Sequence, residues 1–206
     1  MISELLLIAD RFTDSAVADK VKVAVDAGVG RVQLRDHGAS EARFRSAARN
    51  LIEYLRERHD NILIGINARL EVAVEFNAAF HTGFRGPDVS AARKRLGDTT
   101  IGYSAHSVEE AVRARDDGAD YVVFSPIFST SSKPDATPRG LTALERVSLA
   151  IEPTPVFALG GITPERVASC LRTGARGVAV LSGILDAADP AEAVARYVRA
   201  VRFRAV

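Results

Sequence analysis

One stretch, residues 155–180, constrains the fold of this chain more than any other. It reads PVFALGGITPERVASCLRTGARGVAV and holds two short apolar runs, at 156–159 and 177–181. The first run ends in Gly-Gly and the second in Ser-Gly, and a helical pattern follows each of them. Uninterrupted apolar runs of this length are typical of parallel strands covered on both faces. The stretch therefore predicts two consecutive β/α units.

The residues at the ends of these two runs form a candidate phosphate site. Consecutive glycines let backbone N–H groups approach an oxyanion without interference from a Cβ atom. The start of the next helix adds free N–H groups and a partial positive charge. In an eight-fold β/α barrel the phosphate site lies after strands 7 and 8. We expect the phosphate to be bound by Gly160, Gly161, Ser182 and Gly183.

Six further apolar runs precede this stretch, and helical patterns separate them. The eight predicted strands are residues 5–9, 31–34, 62–66, 79–82, 100–104, 121–125, 156–159 and 177–181. Such alternation predicts a parallel sheet, and eight repeats favour a closed barrel. An open, flavodoxin-type sheet is the alternative. With 206 residues and no break in composition, we expect one α/β domain, a (β/α)8 TIM barrel over residues 1–206.

Composition and charge argue against several classes of function. A formal net charge of +1 provides no basic field for nucleic acid. No apolar run approaches the roughly 20 residues of a membrane-spanning helix. The single cysteine, Cys170, excludes a disulfide within the chain. The first residues lack the basic segment and cleavage site of a signal peptide. We expect a cytoplasmic protein that binds neither nucleic acid nor a membrane.

Polar side chains follow the predicted strands. Because the carboxyl ends of all barrel strands meet at one mouth, we expect these residues to converge around a ligand. No group of Asp, Glu or His has the spacing of a tight metal site, so we expect no metal. Arginine suits bidentate contact with a carboxylate or phosphate. The candidate substrate-binding residues are Gln33, Arg35, Asn67, Ser104 and Lys133.

His106 is the candidate acid–base group, because it comes just after a strand and imidazole titrates near neutrality. The alternative is a residue at the start of a helix that packs against a loop. Lys133 lies in a long polar loop, and such loops are often lids, although a solvated surface lysine is equally compatible with the pattern. His37 and His81 are interpreted as hydrogen-bonded residues at loops or strand ends.

Six segments together resemble the thiamine phosphate synthase and TenI superfamily, over residues 5 to 201. They are VQLRD, IGINARLEVA, IGYSAHSVEEA, GADYVVFSPIFSTSSK, PVFALGGITPE and GVAVLSGIL. The resemblance implies an eight-fold β/α barrel with a shared phosphate site. It also implies two possible activities. The synthase branch joins a pyrimidine pyrophosphate to a thiazole phosphate with Mg²⁺, whereas the TenI branch isomerises a carboxythiazole phosphate without a metal.

This chain departs from the synthase pattern at its charged positions. In that pattern a lysine stands where this chain has His37, and a metal-binding Asp stands where it has Ala68. A second metal-binding Asp belongs to the segment after the fourth strand, where this chain reads Phe84-Arg85. Alanine cannot bind a metal, and a pyrophosphate leaving group needs its charge neutralised, usually by Mg²⁺. Asp88 is the nearest carboxylate and is displaced along the chain.

These departures favour the TenI branch, so we expect an isomerase, a metal-independent thiazole tautomerase of thiamine biosynthesis with no cofactor. The resemblance places its catalytic histidine at His106, and Arg35 with Lys133 would bind the substrate carboxylate. One alternative is a divergent, Mg²⁺-dependent thiamine phosphate synthase, which is a transferase. Another is a non-catalytic regulatory protein that binds thiazole or thiamine phosphate. The expected partner is a phosphorylated thiazole, and small barrels of this kind often form homo-oligomers.

Overall fold

A computed structural model describes residues 4–130, 132 and 134–202 of the chain. Within these residues eight parallel strands close into a barrel in the order of the sequence. The strands are β1 (Leu5–Asp10), β2 (Arg31–Arg35), β3 (Leu63–Asn67), β4 (Ala79–Gly83), β5 (Ile101–Ala105), β6 (Tyr121–Phe124), β7 (Val156–Leu159) and β8 (Gly177–Val180). The predicted (β/α)8 TIM barrel is confirmed, and the open-sheet alternative is wrong.

Helices separate the strands and surround them. They are α1 (Ser15–Asp26), α2 (Glu41–Arg58), α3 (Leu70–Glu75), α4 (Val89–Leu96), α5 (Val108–Asp116), α6 (Gly140–Ala150), α7 (Pro164–Arg172), α8 (Ser182–Leu185) and α9 (Pro190–Arg202). The one-turn helix α8 is absent from the prediction, because four residues are too few to show a helical period. None of the helices in the described ranges combines the length and apolar character needed to cross a bilayer.

Local side-chain caps explain where several helices begin. The Ser40 hydroxyl accepts the N–H of Arg43 and starts α2, as serine commonly does at a helix N-terminus. The Ser107 hydroxyl accepts the N–H of Glu110 and starts α5. In the usual capping box the glutamate would return to the N–H of the serine. Here the Glu110 carboxylate instead accepts the N–H of His106, one residue earlier, which fixes the backbone at the end of β5.

Two apolar layers pack against the strands. The larger cluster lies between the barrel and its helices and includes Phe44, Leu144 and Val194. The smaller one lies inside the barrel and consists of Leu6, Ile8, Tyr121, Val123, Phe157 and Ala179. Successive side chains of a strand point to opposite faces, so strand residues alternate between the two layers. Both faces of the sheet are thus removed from water.

The other half of the barrel interior is polar. Arg31 is 8% exposed and Gln33 is 3% exposed, and both come from β2. The Arg31 guanidinium lies over the rings of Tyr121 and Phe157, 5.2 and 5.1 Å from their centroids. Gly102 lies between Tyr121 and His81 in the strand register. Because it has no side chain, the Tyr121 ring can extend across it.

We expect Gly102→Ala to lower the free energy of unfolding by about 2 kcal/mol, as overpacking a core does. A Cβ atom at this position would lie 2.1 Å from Tyr121 Cζ. Gly65→Ala is the matched control, because a Cβ there meets no atom closer than 3.8 Å. Urea unfolding of both variants checks this, and equal stability of the two would contradict the packing described here.

Candidate functional site

A cavity of about 120 Å³, open to solvent, lies at the carboxyl ends of the strands. Its wall combines glycine backbone with apolar and hydroxyl side chains. It is lined by Ile8, Arg35, Ser125, Pro126, Thr130, Ser132, Leu159, Gly160, Gly161, Ile162, Ala179, Val180, Leu181, Ser182 and Gly183. The four residues predicted to bind phosphate therefore share one cavity with Arg35. Their binding of a phosphate remains a prediction.

Gly160 and Gly161 have a structural reason to be glycine besides ligand access. Their φ angles are +101° and +61°, in the left-handed region that other residues adopt only with strain. A Cβ on Gly160 would lie 2.7 Å from Pro126 Cβ, and one on Gly161 would lie 2.3 Å from the Ser129 carbonyl oxygen. The N–H of Phe128 also donates to the Gly160 carbonyl, at 3.0 Å. The glycine pair thus holds the loop that follows β6 against β7.

The segments around Ile162 and Gly183, in the predicted phosphate site, are supported by Tyr197 of α9. The Tyr197 hydroxyl donates to the Ile162 carbonyl at 2.8 Å, and a Cβ on Gly183 would lie 2.3 Å from that hydroxyl. Ser182 and Gly183 are the first two residues of α8. The first N–H groups of a helix have no partner within it. They are free to face an anion in the cavity.

Arg35 is the cation of this cavity, and its orientation is fixed by a residue that the sequence left unassigned. Its Nε lies 2.8 Å from Asp10 Oδ1, in an ion pair at the ends of β1 and β2. Both side chains are roughly three-quarters buried. Because Asp10 engages Nε, the terminal nitrogens of the guanidinium remain available to a ligand. The adjacent positions of Asp10 and Arg35 in the strand register explain the pair.

Gln33 and Asn67 meet inside the mouth. Gln33 Nε2 donates to Asn67 Oδ1 at 2.8 Å. Gln33 Oε1 is buried without a hydrogen-bond partner among the described residues. An unpaired buried acceptor is costly. A ligand that offers an N–H or O–H to this atom would remove that cost.

His106 contacts the wall of the cavity and is not one of its lining residues. Its Nδ1 lies 2.7 Å from the Ser125 carbonyl oxygen. A carbonyl can only accept, so the ring carries its proton on Nδ1, and Nε2 is the acceptor in the neutral form. The imidazole therefore fixes the backbone that precedes the cis Ser125–Pro126 peptide bond. The catalytic role predicted for His106 stays a prediction.

The ends of β3 and β4 do not offer the carboxylates of a magnesium site. Ala68 has a left-handed backbone, with φ of +57°, and no donor atom beyond the backbone. The Asp36 carboxylate accepts the Thr13 hydroxyl and the N–H groups of Gly38 and Ala39. These bonds hold the pKa of Asp36 below its usual value despite the opposing effect of burial. Among the described residues no three His, Cys, Asp or Glu side chains are grouped to hold a metal ion.

Other predicted residues lie elsewhere. His37 is exposed and lines a neighbouring open cavity with Asn67, Ala68 and Arg69. Lys133 lies outside the described residues. His81, interpreted as a hydrogen-bonded strand-end residue, is 1% exposed and both ring nitrogens have partners.

Sequence reasoning missed Tyr121 as a site residue. The Tyr121 hydroxyl lies 3.1 Å from His81 Nδ1, and His81 Nε2 lies 2.8 Å from Ser104 Oγ. Tyr121 reads as an ordinary apolar strand residue. A period-2 assignment that placed Tyr121 and His81 on the inner face of adjacent barrel strands could have linked them.

Comparison with known proteins identifies close relatives. A family model described as thiamine monophosphate synthase matches residues 5–184. A protein of Geobacillus kaustophilus named thiamine-phosphate synthase is 34% identical, over 95% of this chain and 90% of its own length. One of Chloroflexus aurantiacus with the same name is 36% identical, over 88% and 83%. The solved thiamine phosphate pyrophosphorylase of Pyrococcus furiosus is 27% identical with a TM-score of 0.88, over 98% and 97%.

These relatives overturn the predicted activity. The sequence favoured a metal-independent isomerase of the TenI type, whereas the relatives that match most of this chain carry the name of the synthase, a transferase. The inference was wrong because it took the loss of two expected metal ligands as a sign of the other branch. The chain lacks the expected carboxylates at Ala68 and Phe84-Arg85, but most of its sequence is similar to proteins named thiamine-phosphate synthase. The membership in the combined superfamily stands.

The buried His81 gives the folded state a defined pH dependence. Burial, with a smaller effect of the Arg35 charge, lowers the pKa of His81 from 6.5 to about 3. As the pH falls below 6.5 the unfolded chain binds a proton that the folded protein excludes, so the folded state loses stability.

Between pH 7 and pH 5 we expect the stability of the wild type to fall by about 2 kcal/mol more than that of His81→Gln. Urea unfolding at several pH values measures the difference. Above pH 7.5 the two proteins should show parallel curves, which is the internal control. A difference that stays constant down to pH 5 would mean that His81 binds its proton equally well in the folded and unfolded states.

Proposed function

The chain belongs to the thiamine monophosphate synthase family, and on that premise we propose that it is a transferase that joins a pyrimidine pyrophosphate to a thiazole phosphate. One observation carries the proposal: relatives at 34 and 36% identity, matched over most of both chains, are named thiamine-phosphate synthase. The cavity geometry is compatible with it, since the proposed phosphate-binding glycines and a fixed arginine face one space.

The cavity offers separate places for the two anionic groups. The backbone N–H groups near Gly160, Gly161, Ser182 and Gly183 would bind the thiazole phosphate, as free amides at strand and helix ends do. The Arg35 guanidinium, held by Asp10, would bind a second anionic group such as the pyrophosphate. The apolar side chains of Ile8 and Leu159 line the same cavity. Flat heterocycles could pack against them between the two anionic groups. In this arrangement the protein brings the two substrates together and orients them.

Gln33, Asn67 and Ser104 would recognise the polar edge of a heterocycle. They lie within β2, β3 and β5, at or beyond the middle of each strand. The unpaired Gln33 Oε1 would accept a hydrogen bond from the ligand. Lys133, which follows β6 in the sequence, would add a second cation. These roles belong to the proposal.

The magnesium ion that the synthase branch uses is not matched by the donor set described above. Asp10 is paired with Arg35, Asp36 is saturated by three donors, and position 68 is alanine. Mg²⁺ prefers carboxylate and phosphate oxygens. These residues therefore do not form a magnesium site, and the Arg35 guanidinium would neutralise the charge on the leaving pyrophosphate.

A second candidate is a non-catalytic protein that binds thiazole or thiamine phosphate. Ala68 favours it, because the position carries a metal-binding Asp in the synthase pattern. Such a protein would keep the phosphate site and lose turnover.

Incubation with hydroxymethylpyrimidine pyrophosphate and thiazole phosphate separates the two candidates. A transferase forms thiamine phosphate and pyrophosphate in equal amounts, and both can be quantified by chromatography. The assay is run with Mg²⁺ and with a chelator. Saturable binding of thiamine phosphate with no product under either condition would reject the transferase and support the second candidate.

We expect Ala68→Asp to make turnover depend on Mg²⁺. One carboxylate with substrate phosphates is enough to hold this ion, and Asp tolerates a left-handed backbone better than Ala. The rate with Mg²⁺ should exceed that with a chelator by about tenfold, equivalent to ~1.4 kcal/mol. Ala68→Asn is the matched control, since it has the same shape and no charge, and should show no such increase. Equal Mg²⁺ responses in both variants would contradict the expectation.

A further inference from the structure

A chain of three side chains runs through the polar half of the barrel towards its mouth. Tyr121 lies deepest, His81 is in the middle, and Ser104 lies at the end of β5. The distances are 3.1 Å from Tyr121 Oη to His81 Nδ1 and 2.8 Å from His81 Nε2 to Ser104 Oγ. Tyr121 and His81 are 3% and 1% exposed, whereas Ser104 is half-buried. None of the roles assigned above uses the two buried residues.

The register of the strands brings Tyr121 and His81 together. Gly102 separates Tyr121 from His81 along the sheet, and a Cβ there would overlap the Tyr121 ring. On the other side, the Arg31 guanidinium packs over the same ring at 5.2 Å from its centroid. The hydroxyl of Tyr121 is therefore held in place by its neighbours and directed at His81. Such a fixed contact can set the position of a proton.

The proton of the Tyr121 hydroxyl determines which atom donates in each of these hydrogen bonds. Burial raises the pKa of Tyr121 to about 12, so the hydroxyl keeps its proton. Within the described ranges it has no hydrogen-bond partner besides His81 Nδ1. A buried O–H without an acceptor is costly, so Tyr121 donates and Nδ1 accepts. The neutral imidazole then carries its single proton on Nε2.

The tautomer of His81 determines which hydrogen bonds the Ser104 hydroxyl can make with a ligand. The Nε2–H of His81 donates to Ser104 Oγ, so the serine oxygen accepts from inside the barrel. The serine proton is then left for a partner on the other side, at the mouth. We propose that Tyr121 and His81 are positioning residues that make Ser104 a hydrogen-bond donor to the ligand. The ligand atom that best satisfies the serine proton is consequently an acceptor, such as an unprotonated ring nitrogen.

The identity of the ligand rests on the proposed function. The proton arrangement of Tyr121 and His81 does not depend on it. The first measurement therefore uses the protein alone. Long-range nitrogen–proton correlation spectra of isotope-labelled histidine distinguish the two neutral tautomers. We expect His81 of the wild type to be the Nε2–H tautomer at pH 7. A protonated Nδ1 would overturn the proposal, whatever the enzyme catalyses.

Two tyrosine variants test the source of this preference. Tyr121→Phe keeps the ring and removes the donor, so the Nδ1–H tautomer should appear. Tyr197→Phe is the matched control, because Tyr197 is also buried and its hydroxyl binds the Ile162 carbonyl. It should leave the His81 signals unchanged. A pure Nε2–H form in Tyr121→Phe would also overturn the proposal.

The second measurement is the binding of thiamine phosphate by calorimetry. Ser104→Ala should weaken it by about tenfold, the value of one good hydrogen bond. Tyr121→Phe should weaken it by less, and the double variant should be no weaker than Ser104→Ala, because both act through one hydroxyl. Unchanged affinity in Ser104→Ala, or additive losses, would reject the ligand-facing step. If the wild type does not bind thiamine phosphate, the proposed function fails and the tautomer spectra alone decide the inference.

Discussion

The backbone pairing of β8 with β1 closes the barrel, and the arrangement of the site depends on it. Leu5, Leu6 and Leu7 pair in parallel with Val178, Ala179 and Val180. Closure leaves no sheet edge and brings the ends of all eight strands around one mouth. Arg35 from β2 and the glycines after β7, which are 125 residues apart in sequence, consequently line the same cavity. An open sheet would have placed them at distant positions.

The closed interior is divided by chemistry as well as by geometry. Leu6, Ile8, Val123, Phe157 and Ala179 fill one side. Arginine, glutamine, histidine and tyrosine side chains occupy the other, where small residues on the neighbouring strands leave them space. Buried polar groups are stable only when they are paired. The hydrogen bonds of Gln33 with Asn67 and of His81 with Tyr121 and Ser104 therefore fix the orientation of those side chains.

Family membership and local donor chemistry give different information about this chain. Similarity over most of its length reflects the barrel, which needs many residues to be maintained. A metal site depends on a few carboxylates, and position 68 alone can remove one without affecting the fold. Ala68 and Phe84-Arg85 therefore lack carboxylates at the mouth of a chain that is nevertheless a member of the synthase family.

The sequence by itself determined the eight β/α repeats and the set of polar residues at the strand ends. These follow from local patterns, because hydrophobic period is a property of neighbouring residues. Only the tertiary structure decided which of them meet: Asp10 with Arg35, and Tyr121 with Ser104 through His81. Such partners belong to different strands, and their distances depend on the register and closure of the barrel. Local patterns contain no information on register, so the proton arrangement inside the barrel could not be read from them.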